Sequence, residues 1–357
     1  MPGPVRLGLD LCCLGRLGPG AAPRFSVRCV REAERLGFSV AWTAEAFSSD
    51  AVSLLGWLAA QTSRIELGTA VMQIPARSPA MTAMTAATLD VLSQGRFRLG
   101  LGVSGPQVAE GWHGARFDRP LARTRAYVGI VRAALERKVV AHDGEHYPLP
   151  LPGGPGKALQ LGMRPRRGHL PLYLAAVGPA GTRLAGEIAD GWLSVFFQPE
   201  FGPEWGAHLR AGAARRGGEL QDFDVVAAVP VAVGADLADC ADRIRTHTTH
   251  YVGGMGSRRQ NFYNQLMART GFPGEAEQVQ KLYLAGHLRA AAEAVPHKFL
   301  DRTALLGPAG RIAERLRAYA DAGVTTLSAM IFPDHPDEGI ATLRTLAGAM
   351  DRAGVGE

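Results

Sequence analysis

Residues 64–105 read R-I-E-L-G-T-A-V-M-Q-I-P-A-R-S-P-A-M-T-A-M-T-A-A-T-L-D-V-L-S-Q-G-R-F-R-L-G-L-G-V-S-G, and the pattern is strand, helix, strand. Residues 65–74 are apolar with Gly and Thr and almost no charge, which suits a strand buried on both faces. Ser78-Pro79 supplies an N-cap and a first-turn proline for a helix over 79–92, and Gln94-Gly95 ends it. Residues 97–103 form a second buried strand, with Gly100, Gly102 and Gly105 at its carboxyl end. Two parallel strands joined by a helix make one βαβ unit. Such folds hold ligands at the carboxyl ends of their strands, so this unit is expected to be the floor of a cofactor site.

The alternation continues on both sides. Eight strands are expected, at 5–11, 38–43, 65–74, 97–103, 172–177, 192–197, 225–233 and 324–331, with helices over 26–36, 50–61, 119–137, 182–189, 204–215, 238–248, 307–322 and 339–353. Eight parallel strands alternating with helices close into a (β/α)8 TIM barrel of the α/β class, with a doubly wound open sheet as the alternative. Two insertions interrupt the rhythm. One spans about 138–170, is dense in Pro and Gly and holds a small hairpin; the other spans about 251–302 and is mostly helical. The whole of 1–357 is expected to be one barrel domain with insertions, and no short repeat is visible.

A chain that is 46% hydrophobic and 20% charged has the composition of a soluble globular protein with a large core. The net charge of +6 could serve nucleic acid, but the basic residues are scattered over helix faces, as at Arg28, Arg31, Arg35, Arg311, Arg315 and Arg317. They read as solvated faces, and no nucleic-acid partner is expected. Cys12, Cys13, Cys29 and Cys240 make no C-x-x-C pair, so zinc and thiol-redox readings lack support. No signal-like or membrane-length apolar run occurs, so a cytosolic protein without a membrane partner is expected.

The strongest local signal for chemistry is Tyr173-Leu-Ala-Ala-Val-Gly-Pro-Ala-Gly-Thr182, a strand running into a Gly-rich turn and a helix start. Free amides and the helix dipole there can hold a phosphate, although a plain tight turn reads the same way. Asp10 and Glu45 end neighbouring strands on the side where barrels keep their active sites; each is either a working or a structural carboxylate. His113 has no second ligand at metal spacing. Ser104 is not within G-x-S-x-G. Gly100-Leu-Gly102-Val-Ser-Gly105 runs into Pro106, and Pro106 with Gly111 is expected to break any immediate helix, so a Rossmann nicotinamide site is unsupported. By composition Met72, Met81 and Met84 are core filler.

Several stretches resemble the luciferase-like flavin and deazaflavin oxidoreductases, and within them the branch using coenzyme F420. They are Ala41-Trp-Thr-Ala-Glu45, Leu67-Gly-Thr-Ala-Val71, Ser93-Gln-Gly-Arg-Phe-Arg-Leu-Gly-Leu-Gly102, Tyr173-Leu-Ala-Ala-Val-Gly-Pro179, Ala185-Gly-Glu-Ile-Ala-Asp-Gly-Trp192, Gly253-Gly-Met-Gly256 with Asn261-Phe-Tyr-Asn264, and Ala322-Gly-Val-Thr325. The resemblance spans essentially the whole chain. It implies a barrel that is often a homodimer. It also implies a non-prolyl cis peptide at Ala70-Val71 in a bulged third strand behind the cofactor ring. Ala70, Val71 and Met72 would line that ring. Gly102, Val103, Ser104 and Gly105, with Ala175, Ala176, Val177, Gly178 and Pro179, would hold the phosphate and ribityl chain. The acidic tail of the deazaflavin would lie near Lys157 and Arg164, with Arg166 and Arg167 as further candidates.

The family's sugar-phosphate and alcohol dehydrogenases show Asp-His after the second strand, where this chain has Ala44-Glu45. They place a Glu directly after the fourth-strand glycines, where this chain has Gly105-Pro106. Gly8-Leu-Asp10 is closer to the methylene-tetrahydromethanopterin reductases. The resemblance therefore implies reduction: a hydride from reduced coenzyme F420 to a C=C or C=N bond of a small organic substrate, with Asp10 or Glu45 as catalytic proton donor. Alternatives are an FMN-dependent monooxygenase on the same barrel and a non-catalytic flavin- or deazaflavin-binding barrel. Trp42, Trp112, Phe196, Phe197 and Phe262 are expected to line the substrate pocket.

Overall fold

The computed structural model describes residues 3–11, 22–258 and 260–356. Its strands are Arg6–Asp10 (β1), Val40–Thr43 (β2), Glu66–Thr69 (β3), Met72–Gln73 (β4), Phe97–Gly102 (β5), Val139–Val140 (β6), Leu159–Gln160 (β7), Leu172–Ala175 (β8), Gly191–Val195 (β9), Asp224–Val233 (β10), Leu305–Gly307 (β11) and Thr326–Ile331 (β12). The helices are Ala22–Arg35 (α1), Ala51–Ala59 (α2), Pro79–Leu92 (α3), Pro106–Gly111 (α4), Pro120–Leu135 (α5), Pro179–Ile188 (α6), Gly202–Arg215 (α7), Leu237–Thr249 (α8), Phe262–Arg269 (α9), Pro273–Leu284 (α10), Leu288–Glu293 (α11), His297–Arg302 (α12), Ala309–Asp321 (α13) and Pro336–Ala353 (α14).

Strands β1, β2, β3, β5, β8, β9, β10 and β12 pair in parallel around a ring, and β10 closes it on β12. Closure removes the open-sheet alternative. The helix over 79–92 begins as its sequence dictates, with the Ser78 hydroxyl accepting from the Met81 amide, and it ends at Gln94 and Gly95, both in the left-handed region. The strand expected over 65–74 is broken where the family resemblance implies a bulge: β3 stops at Thr69, β4 starts at Met72, and the Ala70–Val71 peptide between them is cis.

Three features depart from the sequence reading. Pro106 opens α4 instead of breaking it, because a proline lacks only an amide that the first turn leaves unpaired anyway. G-x-G-x-x-G therefore does lead into a helix here, a six-residue one on a barrel rather than on a Rossmann sheet. The short β11 extends the carboxyl end of β10, pairing Leu305–Gly307 with Val231–Val233. The second excursion holds the expected 251–302 stretch and also takes in α8. It leaves at Val233 and returns at Leu305, so α13, not α8, is the barrel helix that precedes β12. The antiparallel pair β6–β7 is the small hairpin expected in the first insertion. Cys29 and Cys240 are buried thiols; Cys12, Cys13 and most of the Gly- and Pro-rich stretch around them lie outside the described residues.

The barrel interior is built in layers. At the amino end Asp224 is 5% exposed and gathers charge. It accepts from Arg98 at 2.8 Å, Tyr173 Oη at 3.0 Å, Thr326 Oγ1 at 2.8 Å, Thr325 Oγ1 at 2.6 Å and Arg6 at 3.2 Å. Arg98 also pairs with Glu66 and donates to Tyr173. Burial, with the Asp224 charge, pushes the Tyr173 phenol up, so it serves as a neutral donor. Above this layer the Trp42 and Tyr173 rings meet edge to face at 5.3 Å, among Val40, Leu193 and Val226. Glycines make the room: a Cβ on Gly68 would stand 2.2 Å from the Trp42 ring, and one on Gly191 2.3 Å from Tyr173.

Asp224→Ala would leave the buried Arg98 and the partly exposed Arg6 without their shared carboxylate. We expect a loss of about 3–5 kcal/mol, read as a lower urea midpoint with an unchanged slope.

Candidate active site

Above the two rings the inward-facing residues become small: Ala44, Ala70, Gly102 and Ala175. A cavity of about 1490 Å³ opens there on the carboxyl ends of the strands. Its walls come from the loops after β2, β5 and β8, the first turn of α6, the end of α8 and the turns that follow it. Gly102 cannot be larger, since a Cβ would meet Val71 Cγ2 at 2.6 Å.

At one end, Val177, Gly178, Pro179, Ala180 and Gly181 face the cavity. Gly178 caps α6 without a side chain, and the Thr182 amide returns to the Gly178 carbonyl at 3.0 Å. The Ala180 and Gly181 amides precede the first helical bond and have no acceptor within the helix. Together with the dipole of a ten-residue helix they are the kind of donors that can hold an anion. Gly102, Val103, Ser104 and Gly105 form the facing wall, and Ser104 sits at φ 61°.

The structure brings most of the expected site residues to this cavity and leaves three outside it. Ala70, Val71, Gly102, Val103, Ser104, Gly105, Ala175, Ala176, Val177, Gly178 and Pro179 all line it. Met72 does not: its side chain is fully buried in the core between barrel and helices. Lys157 and Arg164 do not line it either. The first insertion joins the end of α5 to the start of β8, so both of its anchors lie at the amino end of the barrel. The hairpin beside Lys157 and the Arg167–Asp90 pair at Phe97 sit there with them. Among the described lining residues, Arg289 of α11 supplies the guanidinium at the mouth. Of the expected aromatic lining, Trp42, Phe196 and Phe262 reach the cavity or its floor. Trp112 is 67% exposed elsewhere, and Phe197 packs on Trp192 and Tyr319.

The two candidate carboxylates part company. Asp10, the last residue of β1 and 5% exposed, lies in the floor of the site beside Ala70 and Val71. Glu45 is a tie. Its oxygens accept from Arg77 Nη1 at 2.6 Å, Arg77 Nη2 at 2.7 Å, the Ala51 amide at 3.2 Å and the Gln73 amide at 3.3 Å. The Glu45 amide in turn donates to the Val71 carbonyl at 3.0 Å. Four donors fill the four acceptor positions of a carboxylate. Glu45 thus fixes the loop after β2 to the Val71 wall.

Sequence reasoning missed His247, His250 and Tyr251. They lie on α8 and the turn after it, which an outer barrel helix would keep away from the mouth. In the structure the His247 ring sits 4.7 Å from Tyr251, 5.3 Å from Phe332 and 6.3 Å from Phe196. His250 Nδ1 is 2.8 Å from Tyr283 Oη. Burial, then the neighbouring His247, push the His250 imidazole below the usual histidine range. Burial pushes the Tyr263 phenol, also in the lining, up to about 12, so it stays a neutral donor. The spacing of 247, 250 and 251 on one helical face, just before Gly253-Gly254, was the available signal.

A profile of the luciferase-like monooxygenase family matches residues 10–326. A Mycobacterium tuberculosis protein provisionally named a coenzyme F420-dependent oxidoreductase is 40% identical over 330 residues, covering 90% of this chain and 94% of the relative. The 5,10-methylenetetrahydromethanopterin reductase of Archaeoglobus fulgidus is 29% identical over 306 residues, covering 84% and 87%. The coenzyme F420-dependent tetrahydromethanopterin reductase of Methanopyrus kandleri superposes with a TM-score of 0.80 at 22% identity, over 96% of this chain and 98% of that one. This last likeness is one of fold.

Glu45→Gln keeps the shape and removes the charge. It should cost about 2–3 kcal/mol, and adding Arg77→Met to it should cost little more, as a double-mutant cycle in urea would show. His250 should titrate by NMR below about 6.5, the ordinary histidine value. Because the unfolded chain then holds the proton more tightly, His250 favours the fold above the unfolded value, and that contribution is lost as pH falls from there through the lowered folded value.

Proposed function

The chain belongs to the luciferase-like monooxygenase family, and from that premise we propose that it is a coenzyme F420-dependent oxidoreductase. Its reaction is the reduction of a C=C or C=N bond in a small organic substrate. The observation that carries this reading is the uncapped first turn of α6 in the main cavity, with the buried carboxyl of Asp10 in the smaller pocket that shares the Ala70, Val71 and Ala175 wall with it. The 40% identity to a relative named for the same cofactor supports it, and so does the reductase name of the Archaeoglobus relative.

The residues present fit the group. Ala44, Ala70, Gly102 and Ala175 make a wall without bulk, as a flat ring system needs. The Ala180 and Gly181 amides offer donors to a phosphodiester, and Arg289, whose Nε also donates to Glu293 at 3.0 Å, would be the cation at the mouth for an acidic tail. Reduced coenzyme F420 supplies a hydride when bound. The chain's own share is positioning and protons. The Glu45–Arg77 tie holds the Val71 wall in place. Asp10 holds the proton that must reach the second atom of the reduced bond. Phe262 and Tyr263 line the cavity and exclude water from part of it. We further read the protein as a homodimer, with the exposed apolar strip of Trp57, Met81, Met84 and Leu92 on α2 and α3 as its contact face.

Anaerobic titration with reduced coenzyme F420, and separately with FMN, tests the assignment. We expect a saturable absorbance change with the deazaflavin, followed by its oxidation when an enone or imine acceptor is added. Asp10→Asn should keep the binding and lower turnover by roughly 100-fold or more. Binding of FMN alone would sink the cofactor assignment, and full turnover in Asp10→Asn would remove the acid.

A further inference from the structure

Beneath the main cavity, inside the barrel, lies a second pocket of about 70 Å³. The two spaces share Ala70, Val71, Ala175, His247 and Tyr251 as walls, so the small one adjoins the large one. Asp10, Trp42 and Ser328 line the lower space. Trp42 is fully buried and Ser328 is 2% exposed, yet Trp42 Nε1 and Ser328 Oγ have no hydrogen-bond partner among the described residues. Two orphaned polar atoms in one buried place are unusual in a protein interior, where such groups are nearly always satisfied by protein or by ordered water.

Gly8 explains why they sit together. It pairs with Ser328 on one side and Val40 on the other, and Trp42 is two residues beyond Val40 on the same face of β2. A Cβ on Gly8 would stand 3.4 Å from Trp42 Nε1 and 3.1 Å from Val40 Cγ1. The missing side chain keeps a methyl from crowding the indole N–H. That N–H can only donate, whereas the serine hydroxyl can donate and accept. The pocket has room for about two waters at ~30 Å³ each.

We propose that this pocket is a water-filled proton relay: ordered water held by Trp42 Nε1 and Ser328 Oγ joins Asp10 to His247 and recharges the acid after each turnover. The relay role rests on the reductase reading above; the water site does not. In each cycle the Asp10 O–H bond breaks and its proton bonds to the substrate atom next to the one that takes the hydride from reduced coenzyme F420. The carboxylate left behind takes a proton from the water, the water takes one from the His247 imidazolium, and His247 regains it from solvent in the main cavity. No electron moves along the relay, and the protons balance.

A crystal structure of the chain as isolated, at a resolution that shows ordered solvent, tests the site without any cofactor. Water within about 3.2 Å of both Trp42 Nε1 and Ser328 Oγ is expected, and a dry pocket overturns the proposal. The role is tested with Ser328→Ala, which removes one anchor, and Gly8→Ala, which places a methyl over the indole donor. Each should lower kcat by roughly tenfold or more and enlarge the solvent isotope effect on kcat, with KM and coenzyme F420 affinity unchanged. Unaltered kcat and isotope effect in both variants, with the water gone, overturn the relay. Should Gly8→Ala not fold, Ser328→Ala decides alone. If the wild type does not bind coenzyme F420, the reductase reading fails and the crystal structure still decides the water site.

Discussion

The edge-to-face contact of Trp42 and Tyr173 sets where everything else can be. Two large rings on the barrel axis fill the space that eight strands enclose, and they do so only because Gly68 and Gly191 have no side chains to oppose them. Below the rings there is room for one layer, and it is charged and closed around Asp224. Above them the inward positions hold Ala and Gly, so the axis opens into a cavity. The polarity of the barrel, plugged at the amino end and hollow at the carboxyl end, follows from how bulk is distributed along inward-facing positions.

Much of this was legible in residues 64–105. Their apolar runs, the Ser78-Pro79 start and the glycines at 100, 102 and 105 fixed a βαβ unit, and the structure has it with a helix matching to the residue. The turn at 175–181 was legible too, because a strand that runs into Gly-Pro and a helix start leaves few other geometries. The charged layer was less visible. Glu66, Arg98 and Asp224 each break an apolar strand pattern, but nothing local says that they meet. Their pairing depends on closure of the barrel, a long-range fact.

Glu45 and the first insertion show two further limits. A carboxylate at a strand end looks the same in sequence whether it holds a proton or a guanidinium; the Arg77 that decides it lies 32 residues on. Lys157 and Arg164 read as a basic cluster suited to an acidic tail. Connectivity places them elsewhere: a segment that follows a helix and precedes a strand starts and ends at the amino end of the barrel. His247 was hidden for the converse reason. The pattern of α8 is that of any amphipathic helix, and only the extra pairing of β10 with β11 shows that it belongs over the mouth.

That pairing has a wider consequence. The excursion from 234 to 304 departs and rejoins through one short ladder, Val231–Val233 against Leu305–Gly307, which stands at the end of the barrel and takes no part in closing it. Its length and composition can therefore drift over evolutionary time without disturbing the ring of strands. The backbone of the α6 turn and of the Val71 wall lies outside it, and Arg269 of the excursion donates to the Val177 carbonyl at 3.3 Å. Selection can exchange much of the roof, and with it the range of molecules admitted, so long as His247 and Tyr251, which reach down to the lower pocket, are kept.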